Sequence, residues 1–531
     1  MSLWIGQMEP FAGSISRFFL SPGQEIALPV SCQIFAGGRT IENGHQEDFL
    51  VEVWTDLNDH GESFSAIPMT FLRQSDLYYE YEASLILKTT GAFRFTVRFS
   101  PDGGKSWIYQ NDFYQGEKPC IDAFLVASAE WIQSASLYAV SPEAFPTLEE
   151  LDNGLAYISS LGTDIVYLPA GDPESLGPSL DALIKRAHAL GLKVVLDFVV
   201  SRFQSAKGNF GYYNDAEDWI EMGSFDQAFW DKMAAVVPDW MDRHGIDGIC
   251  CQFAQLAPAR FWQKAINAIK RVKPDALVIG NFPGGDGRVL LRAFDAVKGD
   301  LWHSLQGFPS GRDIKYFFLG RDSQYPKRSG FLQFVESPDT TIRSVVRWGS
   351  SQTAFLRFAI AATTPGLPLI QNGQEISDAV QLPLGESCTV DWSRFVGESK
   401  VLHLYSKLMH VRRELPTLCR GRTFFLNMEP EQDSIFAFLR YDSEGAVLVA
   451  INLDAYQEQK ASFRLPIWEL KMDSAHSFVM TDRWNEGEPG LYSGQHLSAG
   501  LPVTLPPNGL VIATFTPKAA SISAGKSAAD V

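Results

Sequence analysis

From about residue 122 to 415 short apolar runs alternate with longer helical stretches, and this rhythm constrains the fold more than any other feature of the chain. SLYAV is followed by TLEELDNGLAYISSLG, DIVYLP by SLDALIKRAHALG, and KVVLDFVV by FDQAFWDKMAAVVPDWMDRHG. DGICCQF precedes PARFWQKAINAIKRV, and ALVIGNF precedes a weaker strand–helix unit around Phe294–Gly320. FLQFV then leads to a helix across Ser350–Thr363, and LPLIQ to the helix KVLHLYSKLMHVRREL. Unbroken apolar runs are what parallel strands buried on both faces require. About eight such units in under roughly 300 residues predict a closed (β/α)8 TIM barrel of the α/β class rather than an open sheet.

The rhythm changes on either side. Residues 1–118 carry period-two runs (FLVEVWTDL, YYEYEASLIL, AFRFTVRFS) between turn clusters at Asn58-Asp59-His60-Gly61 and Pro101-Asp102-Gly103-Gly104. They predict an N-terminal antiparallel β-sandwich, immunoglobulin-like and of the kind found in carbohydrate modules. Trp54, Trp107 and Tyr78 read first as core or interface residues, with a sugar platform as the alternative. The barrel is assigned to 119–418. Residues 419–517 return to strand patterns (SIFAFLRYD, AVLVAINLD, ASFRLP, GLVIATFTP) and predict a C-terminal antiparallel sandwich. Residues 518–531 are small and polar and read as a flexible tail.

Composition removes several function classes. A net charge of −17 argues against a nucleic-acid partner. No apolar run reaches the roughly 18–20 residues of a membrane span. The N-terminus MSLWIGQMEPFAGS lacks the basic and apolar regions of a signal peptide, so the expected location is cytoplasmic. The six cysteines have no framework spacing and read as reduced thiols. Without a CxxC pair or an HExxH motif, neither a metal site nor a cofactor is expected. The glycine-rich Gly280–Gly287 lacks the Lys-Ser/Thr of a phosphate loop and reads as a connecting loop. Oligomeric state has no sequence signature here.

In a (β/α)8 barrel the active site lies at the C-terminal ends of the strands. The third strand ends at Asp197, the fourth at Cys250, Cys251 and Gln252, the fifth at Asn281, and the seventh runs through Glu336 to Asp339. At these ends the chain resembles the α-amylase family, the family 13 glycoside hydrolases. VVLDFVVSRF, GIDGICCQFA, VIGNF and FVESPDT are similar, in order, to that family's four strand-end motifs. PGLPLIQNGQEI and LMHVRRELPTLCRG are similar to its eighth-strand motif and closing helix. The resemblance covers nearly the whole chain and implies the same sequence of sandwich, barrel and sandwich.

It also exposes departures. Retaining glycosidases use two carboxyl groups roughly 5–5.5 Å apart. The resemblance puts Gln252 at the nucleophile position and Asn281 at the acid/base position. A carboxamide neither forms the glycosyl ester readily nor delivers a proton near neutral pH. Cys250 stands where the family has the arginine beside the nucleophile, Ser201-Arg202 where it has Asn-His, and Pro338 where it has the fourth motif's histidine. Asp339 is left at the stabiliser position and Asp197 at the floor. Replacing the arginine together with the nucleophile avoids stranding a buried charge.

Further residues complete the expectation. Asp197, Cys250 and Arg202 are support residues, and Tyr213, Trp219 and Glu336 are substrate-binding candidates. Cys250-Cys251 read as small apolar filling, with metal or redox work as the alternative. His188 and His244 fall at the stability face of the barrel. The loop Phe203–Asp226 is short for the family and argues against its calcium site. Three readings follow: a carbohydrate-binding protein for α-glucan or a related oligosaccharide that no longer hydrolyses; an active glycosidase or glycosyltransferase with relocated carboxylates; and a structural or partner-binding barrel.

Overall fold

A computed structural model describes the chain except for residues 1–2, 41–45, 76, 111–121, 141–147, 170–172, 200–211, 214–218, 221–226, 283–286, 299–309, 341, 381–399, 471–476 and 518–531. Eight parallel strands close into a barrel: Leu137–Ala139, Ile165–Leu168, Lys193–Val199, Gly248–Gln252, Leu277–Gly280, Ala296–Lys298, Gly330–Gln333 and Leu367–Gln371. Closure is made by the first strand pairing with the eighth, Leu137 opposite Leu369 and Ala139 opposite Gln371. Helices follow the strands in sequence at Leu148–Ser160, Pro178–Ala189, Gln227–His244, Ala259–Val272, Gly311–Gln324, Ser351–Thr363 and Lys400–Glu414. The strands are buried along nearly their whole length, which is why they read as unbroken apolar runs. Strand seven stops at Gln333, earlier than expected, so Glu336 and Asp339 lie in the loop beyond it. No helix among the described residues is long and apolar enough to cross a membrane.

The chain divides into two compact units. The first comprises Met1–Trp302, Gly320–Arg343 and Gly366–Gly397 and contains the N-terminal sheets and all eight barrel strands. The second comprises His303–Leu319, Ser344–Pro365 and Glu398–Val531. It contains a sheet ordered 422–425, 435–441, 446–452, 510–517, 477–482, 490–493 and a three-stranded sheet of 427–429, 459–464 and 501–505. Leu448, Phe463, Leu505 and Ala513 are fully buried in the core of these C-terminal sheets.

The N-terminal region forms one sheet of 3–9, 26–36, 79–87 and 70–74, and a second around 15–20, 123–129, 91–100, 50–55 and 65–68. The second sheet takes in Ala123–Ala129, past the boundary at 118 read from the sequence. Val53, Phe93, Phe95, Val97 and Phe99 fill the space in the core with no exposure. On the second sheet Arg98 lies over the ring of Trp54, 3.7 Å from its centroid, and over Trp107, at 4.1 Å, with Nη2 2.7 Å from Glu52. The guanidinium therefore covers one face of each tryptophan.

Polar side chains fix this sheet to the barrel. Arg17, 5% exposed, donates to the carbonyls of Leu291 (2.8 Å), Phe294 (2.8 Å) and Asp295 (2.6 Å). Asn267 pairs its amide with both backbone groups of Ala92, at 2.7 and 2.8 Å. Gly91, at φ +150°, leaves the room this needs, since a Cβ there would stand 2.8 Å from Asn267 Oδ1. Asp295 in turn receives Lys270 at 2.9 Å, both side chains being 1% exposed. Arg17→Ala would remove a buried donor shared by three carbonyls. The expected cost is about 3 kcal/mol, seen as a lower melting temperature in scanning calorimetry. An unchanged melting temperature would contradict this docking role.

Candidate functional site

The barrel geometry brings the ends of strands two, three, four and five together. Asp197 on strand three sits opposite Cys250 on strand four, and Val199 opposite Gln252. Asp197 is 7% exposed. Its Oδ1 accepts from the Tyr167 hydroxyl at 2.6 Å and from Gln252 Nε2 at 3.0 Å. By accepting here, Asp197 turns the Gln252 amide so that its nitrogen faces inward. Nε2 also donates to the Tyr167 hydroxyl at 3.1 Å. Gln252 Oε1 is left facing strand five, where Asn281 Nδ2 donates to it. The backbone repeats the link: the Asn281 N–H donates to Cys251 O at 2.8 Å, and the Asn281 carbonyl accepts from the Ala254 N–H at 2.8 Å. Gln252 and Asn281 are thus hydrogen-bonded to one another over Asp197, and both amide protons of Gln252 are used.

Cys250, beneath this network, has its thiol pushed up by burial and then by the neighbouring Asp197. Burial pushes Cys251 the same way. Neither is a ready thiolate, which fits packing rather than redox or metal chemistry. The described residues contain no group of three or more His, Cys, Asp or Glu placed to hold a metal ion. Directly after Gln252 the chain takes a left-handed turn at Phe253 (φ 53°), whose side chain is 47% exposed. A bulky residue in that region is strained, a feature that concentrates at ligand sites.

The remaining carboxylates at this end are each engaged. Asp339, 59% exposed, is ion-paired with Lys298 at the end of strand six. The Lys298 ammonium also lies 5.2 Å from the Phe334 ring centroid. Glu336, expected as a substrate contact, is instead 1% exposed, and Arg343 Nη1 meets its Oε2 at 2.9 Å. Arg343 also donates to Asn372 O (3.0 Å) and Val380 O (3.2 Å), so the pair is built into the wall. Beyond strand eight, Glu375 has no exposure; its Oε1 accepts from Tyr138 (2.6 Å) and Tyr157 (3.1 Å), and its Oε2 has no partner among the described residues.

The structure brings together Asp197, Cys250, Gln252 and Asn281, and sets Asp339 beside Lys298. Arg202, Ser201 and most of the loop Phe203–Asp226 lie outside the described residues. Tyr213 and Trp219 are described only as backbone, opposite each other in a short antiparallel pair. His188 and His244 hold Asp247 (2.7 Å) and Asp181 (2.8 Å) as structural pairs. Tyr167, Lys298 and Glu375 are functional candidates that no motif marks. Tyr167 lies near the end of the run DIVYLP, the one signal that points to it; Lys298 and Glu375 carry none.

No protein-family model matches the chain. A cyclomaltodextrinase of Geobacillus thermopakistaniensis is 22% identical over 521 residues, covering 77% of this chain and 84% of that protein. An alpha-1,4-glucan:maltose-1-phosphate maltosyltransferase of Picrophilus torridus is 25% identical over 258 residues, 46% of this chain and only 39% of that protein. Among solved structures, a cyclomaltodextrinase superposes with a TM-score of 0.59 at 16% identity, covering 94% of this chain and 97% of that one. The chain resembles the α-amylase family. What it shares with that family's solved members is the fold, a (β/α)8 barrel with β-sheet domains before and after it in sequence.

Glu375 gives this end of the barrel a pH signature. Burial pushes its carboxyl from the ordinary 4.5 up to about 7, opposed by the hydrogen bonds from Tyr138 and Tyr157 and by Arg343. The folded chain therefore holds a proton that the unfolded chain has released. The associated stability is complete below pH 4.5 and lost as pH rises through about 7, a fall of about 3 kcal/mol. Glu375→Gln, neutral throughout, should flatten the decline in melting temperature between pH 5 and 8. A decline as steep as in the unaltered protein would show that Glu375 does not hold this proton.

Proposed function

We propose that this protein binds α-glucan or a related oligosaccharide at the C-terminal mouth of its barrel and does not hydrolyse it. The observation that carries the reading is the mutual hydrogen bond of Gln252 and Asn281 over Asp197. These residues stand at the nucleophile and acid/base positions of the family the chain resembles. An acidic nucleophile at 252 would bring a second negative charge to within about 3 Å of Asp197 with no arginine at 250 to balance it. The amide pair removes that conflict, and with it the two groups that retaining hydrolysis needs.

The carbohydrate class is supported by the relatives, whose names specify α-1,4-glucan and cyclomaltodextrin chemistry. Asp339 and Lys298 are the polar groups we assign to ligand hydroxyls, because Asp339 is exposed where Asp197, Glu336 and Glu375 are buried. Relocated catalysis through Glu336 is opposed by its burial against Arg343. The location we propose is cytoplasmic.

Titration calorimetry with maltotriose and maltoheptaose tests the reading. Binding is expected, and Asp339→Ala should weaken it about tenfold through loss of a charge-assisted hydrogen bond. An absence of heat with every glucan would overturn it and favour a barrel that serves as a scaffold.

A further inference from the structure

Far along the chain from the barrel-end residues, the second compact unit has a groove of about 230 Å³ between the start of the helix Gly311–Gln324 and the strands on either side of residues 430–434. The groove is preformed. Gly311 donates its N–H to Asp433 O at 2.6 Å, and a Cβ at 311 would stand 2.2 Å from Ile435 O, so the helix start is seated directly on the strand. Two turns on, Phe318 stacks on Phe436 and Phe425, with centroids 5.9 and 6.0 Å away. A cavity between elements held this firmly needs no rearrangement to admit a ligand.

Its chemistry is mixed. Tyr316, 63% exposed, stands at the rim, and Leu426 and Ile435 contribute apolar surface. Lys315 Nζ is held by Leu426 O and Asn427 Oδ1, each at 3.2 Å, which leaves one ammonium proton to donate. Glu431 and Gln432 add acceptors and an amide on the opposite side. The cations already have acids beside them: Arg312 Nη2 lies 2.6 Å from Asp433, and Glu431 acts on Lys315. The groove therefore offers no surplus charge to an anion. It offers donors and acceptors beside one exposed aromatic side chain. Its volume lies below the roughly 300 Å³ at which drug-sized pockets begin.

We propose that this groove is a second binding site, taking a single pyranose unit or the end of a neutral oligosaccharide. Ring hydroxyls meet Lys315, Asn427 and Glu431, and the C–H face of the sugar lies on Tyr316. The site is independent of the barrel reading in its residues and shares with it only the choice of probe.

Hydrogen–deuterium exchange of the full chain with maltotriose separates the two. Slowed exchange is expected in peptides covering 311–320 and 426–432. Tyr316→Ala, a surface change that leaves the melting temperature unaltered, should weaken that protection about tenfold in ligand concentration. Lys315→Met should weaken it as well. Protection only in peptides 248–252 and 277–281 overturns the groove and leaves the barrel reading standing. Protection only at the groove upholds this site and counts against the barrel. Protection in neither region, or protection at the groove that Tyr316→Ala leaves unchanged, overturns the proposal.

Discussion

Gln252 donates to Asp197 at 3.0 Å, and the rest of the barrel mouth is arranged around that contact. A buried carboxylate has to be met by donors. Tyr167 supplies one hydroxyl proton and Gln252 an amide proton, so the charge is satisfied without a cation among these partners. Once Asp197 has oriented the amide, the remaining oxygen faces strand five and fixes Asn281. The two neutral residues are thereby tied to each other by the one acid kept below them. Cys250 completes the arrangement, because a small thiol kept protonated by burial needs no counter-charge where an arginine would.

This interdependence bears on how such a site changes. Restoring a carboxylate at 252 would place it against Asp197, an arrangement that two nearby carboxyls resolve by sharing a proton. The outer layer follows different rules. Asp339 is exposed and paired with Lys298 from strand six, and Glu336 is withdrawn into the wall by Arg343. The base thus holds one carboxylate met by neutral donors, and the outer layer holds paired charges.

The barrel was legible because strands buried on both faces leave apolar runs, and six of the eight end close to where those runs stop. The site was legible wherever a strand end coincided with a motif, as at Asp197, Gln252 and Asn281. What could not be read depends on contacts between distant parts of the chain. Lys298 ends a strand of only three residues, too short to give a pattern. Strand seven stops at Gln333, so Glu336 turns inward to an arginine seven residues on instead of facing the mouth. The Trp54–Arg98–Trp107 stack depends on the pairing of 50–55 with 91–100, which sets Glu52 opposite Arg98, a register no local pattern specifies.

The central claim is that position 252 cannot serve as a nucleophile and that no other carboxylate has taken its place. Intact-protein mass spectrometry after prolonged incubation with an activated 5-fluoro-glucosyl fluoride reads this directly, because such a reagent traps the glycosyl ester of a retaining site. The account predicts no change in mass. A gain of one fluoroglucosyl group, mapped to Asp339, Glu336 or any other carboxylate of the barrel, would contradict it.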